Sequence, residues 1–449
     1  MVSWKRTLYA AWVAQILSIS GFSFVFPFMP LYIRELRMRN NAEVVSWAGV
    51  AAAADAQPMG GLGPVFTRAF MHELWVQDDA DVVFWAGVAT AATALPMAFF
   101  APVWGGLADR FGRKSMVLRS MLGGAVVLTM MGFCQNVWQL VACRFLQGVL
   151  TGTVTASVAL VASVTPKKQS GYALGMMHAA LLVGVAIGPL LGGWLTENYG
   201  FRMAFVLAGA VLLAGGLLMH FCAEEEFRPP APAERGGRGT FAEVLAVSGF
   251  LAAVFALFTI QLANTAPSPV FPLFVEQIQG TREKIKLVTG AVVSVGGFAA
   301  AFSAVLFGRF SDSWGHKRVL VATSLFAGIV SVLHAFVRSI WQLVGLRTLL
   351  GLGAAGMMPA ANAIIRDITH EKNLGKAFGV TSCLSCLGMA LGPLAGSALA
   401  GYLGLRSPFI LTGLVLGLAA ALVLWRVKGG APAAGPPPEP SNGEVAPPV

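Results

Sequence analysis

Runs of apolar residues about as long as a bilayer is thick recur from one end of this chain to the other, and nothing else in the sequence constrains the fold as strongly. A helix rises about 1.5 Å per residue, so about 20 apolar residues cross a hydrocarbon core of about 30 Å. Twelve such runs are read at 8–33, 82–104, 116–134, 137–162, 171–196, 202–222, 244–275, 286–308, 318–337, 341–364, 375–400 and 405–427. Hydrophobic residues fill 56% of the 449 positions, more than a water-soluble core of this size would bury. The expected fold class is therefore all-α and integral to the membrane. The first run follows Lys5 and Arg6 but contains Pro27 and Pro30 and is too long for a cleaved leader, so it is read as a retained span.

A net charge of +10 raises the question of nucleic acid, and the placement of the charges answers it. Lys5, Arg6, Arg110, Arg113, Lys114, Lys167, Lys168, Lys317, Arg318, Lys372, Lys376, Arg426 and Lys428 all fall on one side of the alternating topology. By the positive-inside rule that side is cytoplasmic, with both termini, in a multi-pass protein of the inner membrane. The partners expected are the lipid bilayer and a small-molecule substrate, with no nucleic acid and with the monomer as the working unit.

The chain also repeats itself. VWQLVACRFLQG at 137–148 returns as IWQLVGLRTLLG at 340–351, setting Arg144 against Arg347. GGLADRFGRKSMVL returns as FGRFSDSWGHKRVL, setting Asp109 against Asp312. FPFMPLYI in the first span is echoed by SPVFPLFV in the seventh. Equivalent helices pack in equivalent ways, so two six-helix bundles related by a pseudo-two-fold axis are expected. The divisions are 1–222 for the first bundle, 223–243 for a Pro- and Gly-rich cytoplasmic linker, 244–428 for the second bundle, and 429–449 for a disordered tail. One segment breaks the match: AEVVSWAGVAAAADAQPM at 42–59 nearly copies ADVVFWAGVATAATALPM at 80–97. A crossing there would invert the charge bias downstream, so the duplicated segment, about 35–72, is expected not to span.

Glycines are spaced rather than scattered in two spans. The fifth carries Gly184, Gly188, Pro189 and Gly192, and the eleventh carries Gly388, Gly392, Pro393 and Gly396. Glycines four apart make one flat helix face that admits a close neighbour, and proline removes a backbone donor and permits a bend. Enzyme chemistry finds no support: no metal ligands are spaced for a site, no nucleophile and base share a helix face, and GLGAAG at 351–356 lies inside a span with no strand before it.

These residues carry a resemblance to the major facilitator superfamily, and within it to the twelve-span drug:proton antiporters. GGLADRFGRK resembles the loop signature between spans two and three, RFLQG the fourth-span signature, and the Gly-Pro spacing the fifth-span signature of antiporters. The resemblance implies the major facilitator fold and a secondary transporter that exports amphipathic small molecules by alternating access. It implies the proton as coupling ion and no other cofactor. A transporter of a single metabolite, such as a sugar or an organic acid, is the alternative.

The same resemblance assigns gating to Asp109 with Arg113, and to Asp312 in the second half, and proton coupling to Arg144. Efflux relatives often carry a carboxylate in the first span, whereas this chain has Gln15, Ser18 and Ser20 there. His178 in the fifth span and Glu276 at the outer end of the seventh remain as titratable candidates. Spans one, four, seven and ten line the cavity in this superfamily, which nominates Gln15, Phe22, Phe26, Gln261, Asn264, Met358 and Asn362 as substrate contacts.

Overall fold

Asn136 and Ser339 show how the repeat is built. Each N-caps a helix: Asn136 Oδ1 accepts the Gln139 N–H at 2.9 Å, and Ser339 Oγ accepts the Trp341 N–H at 3.3 Å. Gln139 and Gln342 return the bond, accepting the N–H groups of Gln135 and Arg338 at 2.7 and 3.0 Å. This reciprocal cap, a variant of the capping box in which the glutamine bonds the residue before the N-cap, is used twice and fixes where spans four and ten begin. Gly112 and Gly315, repeat equivalents with φ near 88° and 86°, make the left-handed turn that joins spans two and three and spans eight and nine.

The computed structural model describes residues 4–37, 63–166, 169–225, 243, 247, 249–369 and 374–426, and for residues 63–79, 102, 109, 305–313 and 374–376 the backbone alone. Among the described residues every regular element is a helix. The first bundle contains α1 (Trp4–Val25), α2 (Gly63–Phe111), α3 (Arg113–Gly132), α4 (Val137–Leu150), α5 (Thr153–Val164) and α6 (Ser170–Cys222). The second contains α7 (Phe250–Thr265), α8 (Phe271–Gln279), α9 (Ile285–Trp314), α10 (His316–His334), α11 (Ile340–Ala354), α12 (Met357–Ile368), α13 (Leu374–Leu403) and α14 (Ser407–Arg426).

Ten helical stretches among the described residues are long and apolar enough to cross a membrane. The 53-residue α6 is two of the expected spans: at Gly200 (φ 77°) it leaves helical geometry. Its neighbours show the reversal, since Gly184, Gly188 and Gly192 run up α1 beside Ile16, Ser20 and Phe24, whereas Ala208 and Gly215 run back down it beside Gly21 and Ala14. The seventh span is α7 followed by α8. The duplicated segment at 35–72 lies mostly outside the described residues, as do most of the linker and the whole tail.

Spans one, four, seven and ten are interrupted, which the sequence runs did not reveal. A 3-10 turn at Phe26–Phe28 breaks the first, Gly152 (φ 140°) the fourth, Ala266–Val270 the seventh, and Ala355–Gly356 the tenth. Irregular backbone at membrane depth is tolerated where it is buried in protein or lines a cavity.

The buried core changes character along the bundle axis. We call the face that holds Trp4, Phe111, Cys222, Trp314 and Arg426 the terminal face, and the opposite one distal. In the distal half one continuous apolar cluster joins both bundles and includes Phe28, Ile33, Phe205, Phe274 and Phe409. Toward the terminal face the core divides. Leu8, Met121, Leu160, Met177 and Met219 form one cluster in the first bundle, and Phe250, Leu257, Leu320, Ile365 and Val423 form another in the second.

Candidate functional site

Where the joined core divides, the broken helices leave a cavity of about 360 Å3. The first bundle contributes Phe26, Pro27, Met29 and Pro30 from the kinked end of span one, Ala86 and Thr90 from α2, and Val185 from α6. The second contributes Asn264, Pro267, Ser268 and Pro269 from the break in span seven, Phe271 from α8, Arg347, Leu350 and Ala354 from α11, and His334, Phe409 and Thr412 beside them. The wall is mainly apolar with a few polar groups, most of them from the second bundle, as suits a small amphipathic ligand. Among the described residues, no Asp or Glu lines it.

Two of the nominated contacts, Phe26 and Asn264, sit on the wall. The others do not. Gln15 is wholly buried inside the first bundle, with neither side-chain atom partnered. Phe22 packs toward Gly124 on α3, and Gln261 toward the glycine face of α13. Met358 packs against the core of the second bundle, and Asn362 is half-buried on α12 off the wall.

Arg144 is 1% exposed, so it does not snorkel to the headgroups. Its Nε donates to the Ala89 carbonyl at 3.2 Å and its Nη1 to Gln147 Oε1 at 2.8 Å, while the guanidinium lies 3.9 Å from the Phe26 ring centroid. Arg347 repeats the motif, 3.8 Å from the Phe271 ring centroid, and reaches the cavity itself. Each half thus stacks its span-four or span-ten arginine on a phenylalanine beside the break of span one or seven. Such stacking favours a guanidinium where no carboxylate is at hand.

The glycine faces do two jobs. Gly184, Gly188 and Gly192 abut α1, and a Cβ at Gly188 would stand 3.0 Å from the Ser20 carbonyl oxygen and closer still to Ser23. Gly388, Gly392 and Gly396 abut α7 in the same register, against Phe258, Leu262 and Ala266. The residues beside them meet the other bundle. Pro189 faces Gly290 and Ala186 faces Gly297 on α9, while Pro393 and Ser397 face Gly87 on α2. Close backbone contact within and between bundles therefore converges on the two Gly-Pro segments.

Polar contacts complete the distal closure. Arg34 Nη1 donates to Glu276 Oε2 at 2.7 Å, and Arg282 Nε donates to Glu276 Oε1 at 2.7 Å. Arg34 and Glu276 are 242 residues apart, the repeat offset of the FPFMP motif, so the pair straddles the pseudo-two-fold axis. Beside it, Lys286 binds Thr196 through Nζ at 3.2 Å and Glu197 through its backbone N–H at 3.1 Å. At the terminal ends the same helices stand apart: nothing lies within 4 Å of where a Cβ would project from Gly105, Gly106, Gly171, Gly175 or Gly379.

The other expected residues are elsewhere. His178 is exposed on α6 and off the cavity wall. Asp109 and Asp312 lie on the last turns of α2 and α9, with side chains outside the described residues. Arg113 is held within its own bundle: Nη1 donates to the Ala159 carbonyl at 3.3 Å. Glu225, from the start of the linker, accepts the backbone N–H groups of Arg113 and Lys114 at 3.0 and 2.7 Å. A carboxylate there satisfies orphan donors at the N-terminus of α3. Sequence reasoning overlooked Glu225 and also His334, which ends α10 at the cavity.

Two bundles joined at one face, parted at the other and enclosing a cavity between broken helices define a secondary transporter of the alternating-access type. The chain belongs to the Major Facilitator Superfamily, whose profile matches residues 11–288 and 253–448. It is 32% identical over 425 residues to the multidrug resistance protein MdtG of Yersinia enterocolitica, covering 94% of each chain. It is 33% identical over 415 residues to MdtG of Proteus mirabilis, covering 92% of this chain and 94% of that one. The multi-drug resistance efflux pump PmrA homolog of Lactococcus lactis is 32% identical over 414 residues, with 92% and 93% covered. Among solved structures, the human organic anion transporter MFSD10 (TETRAN) superposes with a TM-score of 0.67 at 17% identity, over 94% of this chain and 100% of that one, a likeness of fold.

Proposed function

We propose that the protein exports amphipathic small molecules from the cytoplasm by proton antiport, working as a monomer in the inner membrane. The observation that carries this reading is the division of the core: one cluster closes the distal half across both bundles, and two separate clusters leave the terminal half parted. The excess of Lys and Arg at the terminal face supports a cytoplasmic assignment for that face and for both termini. The state described is then inward-facing, with the cavity ready to load from the cytoplasm. A largely apolar wall with few fixed polar groups suits ligands defined by greasiness more than by one hydrogen-bond pattern. The relatives named as a multidrug resistance protein and as a multi-drug resistance efflux pump support the same class of substrate.

The test is accumulation of a panel of compounds by energised cells that express the protein: a cationic dye, a neutral lipophilic drug and a small organic acid. The expected result is lower accumulation of at least one lipophilic compound than in cells without the protein, abolished by a protonophore. Equal accumulation of every lipophilic compound would refute the reading.

A further inference from the structure

We propose that His334 is the group at which proton and substrate exchange, each excluding the other; the inference rests on the export reading above. His334 is 1% exposed and borders the cavity. Its Nδ1 lies 2.7 Å from the Val330 carbonyl oxygen, one turn back on α10, which accepts the Nδ1–H. The neutral ring then carries its lone pair on Nε2, and that atom is buried without a partner. The ring is held by stacking on Phe409 from α14, with centroids 5.6 Å apart and planes 11° apart. The ring therefore presents a fixed, unpartnered acceptor at the border of the cavity.

The surroundings say what that acceptor is for. From α11 the facing charged group is Arg347, whose Nε is also buried without a partner. Arg406, from the link between α13 and α14, donates to the carbonyls of Ala335 and Val337 at 2.9 and 3.3 Å, just beyond the end of α10. α7 presents Asn264, α8 Phe271, and α14 Thr412, whose hydroxyl is bonded to Ala263. Both charged neighbours are cations, and among the described residues no carboxylate faces the ring. A proton on Nε2 thus has no permanent counter-charge and is held in passing, as a shuttle requires.

An unpartnered acceptor beside an unpartnered guanidinium donor fits a neutral amphipathic molecule that pairs a hydroxyl or amide N–H with an acceptor. The two arginines disfavour a cation. Nε2 has one lone pair: it accepts either the substrate's donor hydrogen or a proton. A proton arriving from the outer side breaks the substrate's hydrogen bond, and a substrate arriving from the cytoplasm requires that the proton has left. Neither His178, exposed on α6, nor Glu276, bound by two arginines, has this geometry.

The experiment uses the full chain in proteoliposomes with chloramphenicol, a neutral amphipath that has hydroxyls and an amide N–H. Wild type is expected to exchange the probe at equal pH, with an apparent affinity that falls as pH falls, and to accelerate at least tenfold under a pH gradient. His334→Gln, which offers an acceptor that does not titrate, should raise the exchange KM several-fold, flatten its pH profile and remove the gradient response. A second measurement needs no variant: wild-type protein in weak buffer, at the acid end of the pH profile where His334 carries its proton, should release up to one proton when it binds the probe. A gradient response and pH profile in His334→Gln equal to wild type, or binding without proton release, would overturn the proposal and leave export standing. Absence of probe movement by wild type in either mode, with no export of the panel by cells, would refute the export reading and this proposal with it.

Discussion

Glu276→Gln is the substitution that most sharply tests how the distal side closes. The Arg34–Glu276 contact spans 2.7 Å, and the two side chains are 10% and 16% exposed. A hydrogen bond to a charged group at such a site contributes about 1.5–3 kcal/mol. The second bond, from Arg282, adds less, because Arg282 is 48% exposed and its charge is screened by water. Glutamine keeps the shape and loses the charge, so the Arg34–Glu276 ion pair is reduced to a neutral hydrogen bond. The contact joins the two bundles at the closed face, so its loss falls on the distal-closed state alone and shifts the equilibrium toward distal-open by a factor of about 10 to 150. Spin labels at Gln135 and Arg338, exposed repeat equivalents on the distal ends of the two bundles, would report the shift as a longer inter-label distance. Restoring the closed population should take Arg34→Glu with Glu276→Arg and also Arg282→Gln, since the swap alone sets two arginines side by side. A closed-to-open ratio in Glu276→Gln equal to that of wild type would refute the reasoning.

Three further outcomes follow from named contacts. Gly188→Leu and Gly392→Leu should reach the membrane but fail to export the panel compounds, since each puts a side chain against backbone of α1 or α7; normal export by either would remove the packing argument. Arg144→Lys forfeits the paired bonds to Ala89 and Gln147 and the stacking on Phe26, and should lower both export and the thermal midpoint, with a loss of about 1–3 kcal/mol; unchanged values for both would show that the guanidinium is dispensable. We propose that Asp109 meets the N-terminus of α13 when the terminal face closes, a contact of about 0.3–1 kcal/mol, up to about 2 when partly buried, which biases two states by about 2- to 30-fold. Asp109→Asn should then lower export and raise maleimide labelling of a cysteine at Asn264, with Asp312→Asn doing less, and wild-type labelling would contradict it.

The repeat made much of this architecture legible, because a membrane span declares itself by length and a duplicated bundle declares itself by its offset. The glycine spacing in α6 and α13 was readable for the same reason: a flat face needs one residue type at a fixed interval. The cavity wall was harder. Helical spacing projects residues onto a straight cylinder, and spans one, four, seven and ten are not straight at that depth. Phe26 and Asn264 fall on the wall because they sit at or next to a break, while Gln15 and Asn362 lie on intact helix away from it. The Arg34–Glu276 pair was within reach of the 242-residue offset, but the two members differ in charge, and a search for likeness passes over complementarity. His334 gave no signal in sequence: a single histidine closing an apolar span reads as an interfacial residue until Phe409 and Arg347 are brought beside it. Glu225 was hidden in an acidic run at the start of the linker, where three glutamates look alike and one caps α3.

Transport by the purified protein in liposomes tests the central claim most directly. With the cytoplasmic face of a known fraction turned outward and an imposed pH gradient, the account predicts gradient-driven movement of a lipophilic probe from the terminal to the distal side, with counter-movement of protons. Movement that ignores the pH gradient, or uptake of a small hydrophilic solute with no response to lipophilic compounds, would contradict it.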